Sequence, residues 1–246
     1  MTNAPGMKYS GSINMAKRIC IIRHITREGP GRFHGLIKKR GLDIHQYDLS
    51  QSLTLPDPAQ YDGVLVMGGP QSANDTDERM TVMRGFVSGV LDSGTPYIGI
   101  CLGMQLLVKA AGGQVVKSPR KEIGFFDPQK RPYENILTGE GKKDPLLRGL
   151  ADRFPVFHLH GETVVLTPEI RLLATAPQCP NQIIRVNQTA YGLQGHPELN
   201  ASMLDIWLRE EPWLRESDPG EIKRQYRTLE PGYARVSETL IRNWPV

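Results

Sequence analysis

The reading of this chain turns on Pro96-Tyr97-Ile98-Gly99-Ile100-Cys101-Leu102-Gly103-Met104-Gln105. The first residues are short and apolar, which suits a buried strand, and a helix from Leu102 to Ala111 follows at once. Cys101 stands at the corner between them. Glycines two before and two after it let the chain turn sharply without side-chain clashes. Such a corner holds the cysteine side chain clear of the sheet, and the partial positive charge at the start of the helix favours thiolate over thiol. The plain alternative, a buried structural cysteine, is common. It suits Cys20, which lies mid-strand, whereas Cys179, in a proline-flanked loop, reads as an exposed or half-buried bystander.

Outward from that corner, strands and helices alternate. Arg18 to Arg23 is a β-branched run. Gly29-Pro30-Gly31 breaks the chain, and Phe33 to Arg40 reads as a helix stopped by Gly41. Asp43 to Leu49 alternates as a second strand, and Gly63 to Met67 is a third, ended by Gly68-Gly69-Pro70. Asp77 to Ser93 has helical spacing. This pattern predicts an α/β fold, a mostly parallel open sheet covered by helices on both faces, with ligands beyond the carboxyl ends of the strands. The second half is richer in strand: Gln114 to Lys117, Val156 to His160, Val164 to Leu166, Leu172 to Ala176, Ile183 to Val186 and Tyr191 to Gln194. Asn187-Gln188-Thr189 reads as a hairpin turn. Lys130 to Lys143 reads as a mobile loop, and Ala201 to Leu214 as a helix. Residues 18–246 read as a single domain with a C-terminal helical extension from about residue 201. Residues 1–17 read as a disordered leader, with Met15 as an alternative start.

Composition narrows the class. The 246 residues carry a net charge of +4, too balanced to argue for a nucleic-acid partner. The densest basic cluster, Lys38-Lys39-Arg40, reads as a solvated helix end. Three cysteines form no disulfide framework and point to a reducing, cytoplasmic setting. No apolar run reaches the roughly 20 residues of a membrane span. The alternating His158 and His160 fit a strand rather than a metal centre, and neither a metal nor a cofactor is expected.

A cysteine nucleophile needs a base. Gly195-His196-Pro197-Glu198 offers one, with Glu198 two residues beyond His196 and able to lean back, accept the imidazole N–H and fix its tautomer. Acyl transfer also needs donors for an oxyanion. The Gly69 N–H, after a strand, and the Leu102 N–H, at the helix start, are the candidates.

Gly99-Ile100-Cys101-Leu102-Gly103-Met104-Gln105, Gly68-Gly69-Pro70 and His196-Pro197-Glu198, in this order, resemble the class I (triad) glutamine amidotransferases, and most of all the glutaminase domain of GMP synthase. Lys121-Glu122-Ile123-Gly124-Phe125 and Leu159-His160-Gly161-Glu162 resemble further motifs of that family, so the likeness runs from about Arg18 to Leu199. The resemblance implies Cys101 as nucleophile, His196 as base and Glu198 as its orienter, with Gly69 and Leu102 forming the oxyanion hole. It implies that Gly68, Gln105, Gly124, His160 and Gly161 bind the substrate. A γ-glutamyl thioester and ammonia would form, and water would then release glutamate.

Two positions depart from the family pattern. Leu159 replaces a polar residue, and Gly195 replaces an aromatic one, which would open the pocket beside His196. Arg23, His24 and the Gly29-Pro30-Gly31 loop lie at another strand end and could shape the rim. No nucleotide-binding signature is found, so a synthetase partner would be a separate chain. A stand-alone γ-glutamyl peptidase with the same triad is the second reading, and a catalytically silent binding module the third.

Overall fold

The computed structural model describes residues 16–246. Residues 1–15, which include most of the expected leader, lie outside the described residues. The first half alternates β1 (Arg18–Arg23), α1 (Gly31–Lys39), β2 (Asp43–Asp48), β3 (Gly63–Val66), α2 (Glu78–Ser93), β4 (Tyr97–Ile100) and α3 (Leu102–Ala110). There follow β5 (Gln114–Gly124), β6 (Glu134–Leu137), β7 (Arg153–Pro155), β8 (His158–Val165), β9 (Arg171–Thr175), β10 (Ile183–Arg185) and β11 (Ala190–Leu193). Helices α4 (Ala201–Glu210) and α5 (Pro219–Asn243) close the chain.

A nine-stranded sheet runs β2-β1-β3-β4-β11-β10-β9-β6-β7. Its first five strands are mutually parallel, and β10, β9, β6 and β7 continue it in antiparallel fashion. Strand alternation divides the core. Ile19 and Ile21 pack with Phe33 and Ile37 of α1 and with Val236, Leu240 and Trp244. Cys20 and Ile22 face the opposite layer, with Met80, Met83 and Val87 of α2 and Leu106 and Leu107 of α3. A period of two in each strand places helices on both faces, as the alternating pattern predicted.

Local chemistry sets the element ends. The Asp77 carboxylate accepts from the Met80 N–H at 2.8 Å to start α2, which Gly94 ends with φ 69°. Pro212 stops α4 before Leu214; residues 212–214 form a separate 3-10 turn.

Three expectations need correction. Residues 130–143 do not form a single loop, because Glu134–Leu137 is an interior strand between β9 and β7. Its polar flanks hid a run of only four residues with Asn135 and Leu137 buried. The stretches 156–160 and 164–166 are not two strands. Gly161 sits within β8, which pairs with β5 across a bulge, and the two make a separate ribbon. Arg40 is not a solvated helix end, since its guanidinium donates to the carbonyls of Ile241, Trp244 and Val246 and ties the C-terminus to α1.

Candidate active site

β4 pairs with β11 up to its last residue, and the Cys101 N–H still donates to Leu193 O at 2.7 Å. The backbone then turns at Cys101 itself, with φ 50° and ψ −103°, a left-handed conformation uncommon for a side chain with a Cβ. Glycine is required on both sides. A Cβ on Gly99 would lie 2.7 Å from the Met104 nitrogen, and one on Gly103 would lie 3.0 Å from the Val66 carbonyl carbon. The turn aims the thiol into a cleft, 3.9 Å from Leu159 O, and the Gln194 side-chain amide donates to Sγ at 3.6 Å.

The loop after β11 carries His196 and Glu198. The imidazole Nδ1 lies 2.8 Å from Glu198 Oε1, both side chains fully buried, and among the described residues Nε2 has no hydrogen-bond partner. Burial by itself would lower the imidazole pKa. The Glu198 charge, the hydrogen bond to Glu198 and the neighbouring Cys101 outweigh it and hold His196 well above its usual value. Cys101, distant in sequence, thus lies beside the hydrogen-bonded pair His196 and Glu198, the Cβ of Cys101 and the Cε1 of His196 both lying against Gly68. The loop is clamped from behind. The His196 N–H donates to Phe157 O, the Tyr233 hydroxyl donates to His196 O, and Ser237 Oγ donates to Pro197 O at 2.6 Å. The Trp207 ring stands edge-on to the imidazole at 4.9 Å, and the Arg32 N–H donates to Glu198 O at 2.7 Å.

Neither candidate oxyanion donor is taken up by the fold. Among the described residues the Gly69 N–H has no backbone or side-chain acceptor, and that of Leu102, first residue of α3, has no intrahelical one. Gly68 faces the candidate groups: a Cβ there would lie 2.6 Å from Glu28 Oε2, 3.0 Å from His196 Cε1 and 3.5 Å from Cys101 Cβ. The cleft above them has a volume of about 620 Å³, and Gly69, Cys101, Gln105, His160 and Gly161 line it. Gly124 does not. It pairs with His158 at the end of the β5–β8 ribbon, and its φ of 91° shapes the turn into Phe125. Gly195 does not open the pocket either, because the Val156 side chain fills the space beside its α-carbon.

Both ring nitrogens of His160 meet acceptors, Glu122 Oε2 at 2.8 Å and Glu162 O at 3.0 Å, which fixes the strand segment that walls the cleft. Among the described residues, ligand atoms of Glu122, His160 and Cys179 lie within 4.8 Å of one another. The Glu122–His160 hydrogen bond and a 3.2 Å contact between Cys179 Sγ and Thr163 Oγ1 already occupy these groups. Burial raises the Cys179 thiol, against the thiolate a metal would need. Cys179 is thus buried, not the exposed or half-buried bystander expected from its loop. Burial likewise pushes the mid-strand Cys20 up to about 12.

Sequence reasoning missed Glu28, Arg27, Gln194 and Trp213. Glu28 and Arg27 line the cleft from the loop after β1, and Trp213 reaches it from the turn after α4, under the Lys121 ammonium at 4.1 Å. The position of Glu28 just beyond the carboxyl end of a parallel strand was the available signal. Gln194 and Trp213 carried none, because strand length and the α4 break decide where they point.

The sequence profile of the class-I glutamine amidotransferase family matches residues 34–207. A glutamine amidotransferase-like protein, YfeJ, of Salmonella typhimurium is 30% identical over 194 residues, covering 76% of this chain and 78% of that protein. A GMP synthase of Syntrophomonas wolfei is 34% identical over 178 residues, 70% of this chain and 32% of the synthase, so the chain spans about a third of that enzyme. The crystal structure of a glutamine amidotransferase from Methylobacillus flagellatus superposes with a TM-score of 0.82 at 27% identity, covering 94% of each chain. With a profile match over most of its length, this chain belongs to the class I glutamine amidotransferase family, enzymes that use a cysteine nucleophile.

Proposed function

We propose that this protein hydrolyses the γ-amide of glutamine, or of a γ-glutamyl compound, with Cys101 as nucleophile, His196 as general base and acid, and Glu198 as its orienter. The observation that carries this reading is the Cys101 thiol on a left-handed corner at the wall of a cleft, beside an imidazole held at Nδ1 by Glu198 and, among the described residues, free at Nε2. The thiolate attacks the amide carbon, and the Gly69 and Leu102 N–H groups receive the oxyanion. Imidazolium Nε2 gives its proton to the departing nitrogen as the C–N bond breaks, which leaves a γ-glutamyl thioester. Water, deprotonated by the same imidazole, then releases glutamate. Gln105 and the chain around His160-Gly161 suit the amino-acid end of the substrate, and ammonia would pass to a separate synthetase chain.

A second reading, a γ-glutamyl peptidase with the same triad, is favoured by the cleft volume of about 620 Å³, a size that suits ligands larger than one amino acid. Purified protein incubated with glutamine and, separately, with γ-glutamyl dipeptides separates the two by the ammonia and glutamate released. Cleavage of the dipeptides without any added protein selects the peptidase. Ammonia from glutamine only when a partner is added selects the amidotransferase. Failure to turn over either, together with no alkylation of Cys101 by a glutamine chloroketone, removes both and leaves the silent binding module.

A further inference from the structure

The loop between β1 and α1 brings a carboxylate to the triad that the proposed chemistry does not use. Glu28 is 5% exposed, its side chain makes no hydrogen bond among the described residues, and it lines the cleft. Its Oε2, the Cε1 of His196 and the Cβ of Cys101 all converge on the α-carbon side of Gly68, where only a glycine leaves room for them. The imidazole Cε1 adjoins Nε2, the nitrogen that faces the reacting bond, because Nδ1 is held by Glu198. Gln105, His160 and Gly161, on α3 and the β5–β8 ribbon, form another wall of the cleft. Arg27, the neighbouring cation, is engaged with Glu211 at 2.9 Å. An ionised carboxylate is an acceptor only. What a carboxylate beside the protonating imidazole can take from the substrate is an N–H of the scissile amide.

The geometry points to Glu28 as the leaving-group contact of this enzyme: its carboxylate accepts an N–H of the γ-amide nitrogen and turns that nitrogen's lone pair toward His196 Nε2. The inference rests on the triad reading above. It selects substrates, favouring primary and secondary γ-glutamyl amides over tertiary amides and esters, which offer no N–H. No proton moves to Glu28. The proton that leaves with the amine still comes from His196, and the C–N bond still breaks to the thioester.

The charged groups that face Glu28 are His196 and Glu198 from the loop after β11, Arg27 beside it, and Glu211 from the end of α4. Burial raises its carboxyl to about 7, and Glu211 and Glu198 add to this against His196 and Arg27. The accepting form therefore accumulates as pH rises through that value.

The test uses the full chain with γ-glutamylmethylamide, γ-glutamyldimethylamide and the γ-methyl ester of glutamate. In Glu28→Leu, kcat/KM for the methylamide is expected to fall roughly 10- to 100-fold, the worth of a charge-assisted hydrogen bond. The dimethylamide and the ester change far less. Glu28→Gln keeps an acceptor and restores much of the methylamide rate, but loses the rising limb near pH 7. Alkylation of Cys101 by the glutamine chloroketone, which has no amide N–H, keeps its rate in both variants and shows that the glutamyl site is still folded. Equal losses on all three substrates, or a matching loss of alkylation, would overturn the assignment while leaving the triad standing. A wild-type protein inert toward all three would instead remove the proposed function itself.

Discussion

At the scale of single residues, the corner at Cys101 is where sequence and structure agree most closely, because the constraint is steric and local. Gly99 faces the backbone of the helix it precedes, and Gly103 faces the Val66 carbonyl. Gly99→Ala would force a Cβ to 2.7 Å from the Met104 nitrogen, so backbone must move. The expected cost is about 1–3 kcal/mol in urea unfolding, the usual range for overpacking, with a larger loss of activity than of stability. Cys101→Ala leaves that corner free of new atoms. It should keep the unfolding midpoint and lower turnover by roughly 10³-fold or more, as removal of a triad nucleophile does. Turnover surviving in that variant would mean the sulfur is not the nucleophile. His196 and Glu198 were equally legible, since their pairing needs only two residues of extended chain. Glu28 was not. Its place after a parallel strand pointed to the cleft rim, but its approach to Gly68 comes from the folding of the β1–α1 loop, which no spacing in the sequence carries.

At the scale of elements, the parallel strands could be read from apolar runs, and so could β9 and β10 of the antiparallel half, whereas β6 and β7 could not. β6 and β7 are three to four residues long and gain their pairing from neighbours distant in sequence. The C-terminal helix offered only charges and aromatics to sequence reasoning, yet α5 supplies groups that hold the loop of His196 and Glu198. The Tyr233 hydroxyl and Ser237 Oγ cap successive carbonyls, those of His196 and Pro197. Both carbonyls lie in a loop between strand and helix, so no ladder satisfies them. Tyr233→Phe and Ser237→Ala should each cost about 1 kcal/mol of stability, the usual worth of a buried hydrogen bond. Because the two bonds brace one loop, the double variant should lose more activity than the product of the single losses. Independent effects on kcat in that cycle would show that α5 packs beside the loop without setting it.

At the scale of the whole molecule, titration couples the buried histidines and Glu28 to stability. His24 is fully buried behind Gly69, with no partner on either ring nitrogen among the described residues. Burial, and then the charge of Arg79, lower its pKa from 6.5 to about 3. The unfolded chain therefore binds a proton below 6.5 that the folded chain refuses until about 3. The stability tied to His24 is present above pH 6.5 and is lost as pH falls toward 3, at up to about 1.4 kcal/mol per pH unit. His158, also lowered by burial, acts in the same sense. Two groups oppose them. Glu28, raised to about 7, and His196, raised well above 6.5, bind protons more tightly in the folded state, so their contribution is present at low pH and fades as pH rises through their folded values. Between pH 4.5 and 6.5 the slope from Glu28 partly cancels that from His24 in the wild-type protein, while the slope from His196 lies above pH 6.5. His24→Leu removes one destabilising titration while keeping an apolar side chain of similar size against Gly69. Relative to wild type, its urea midpoint should rise progressively as pH is lowered from 6.5 to 4. A pH-independent offset between the two proteins would mean that His24 is protonated within the fold and that a partner for its ring forms in solution.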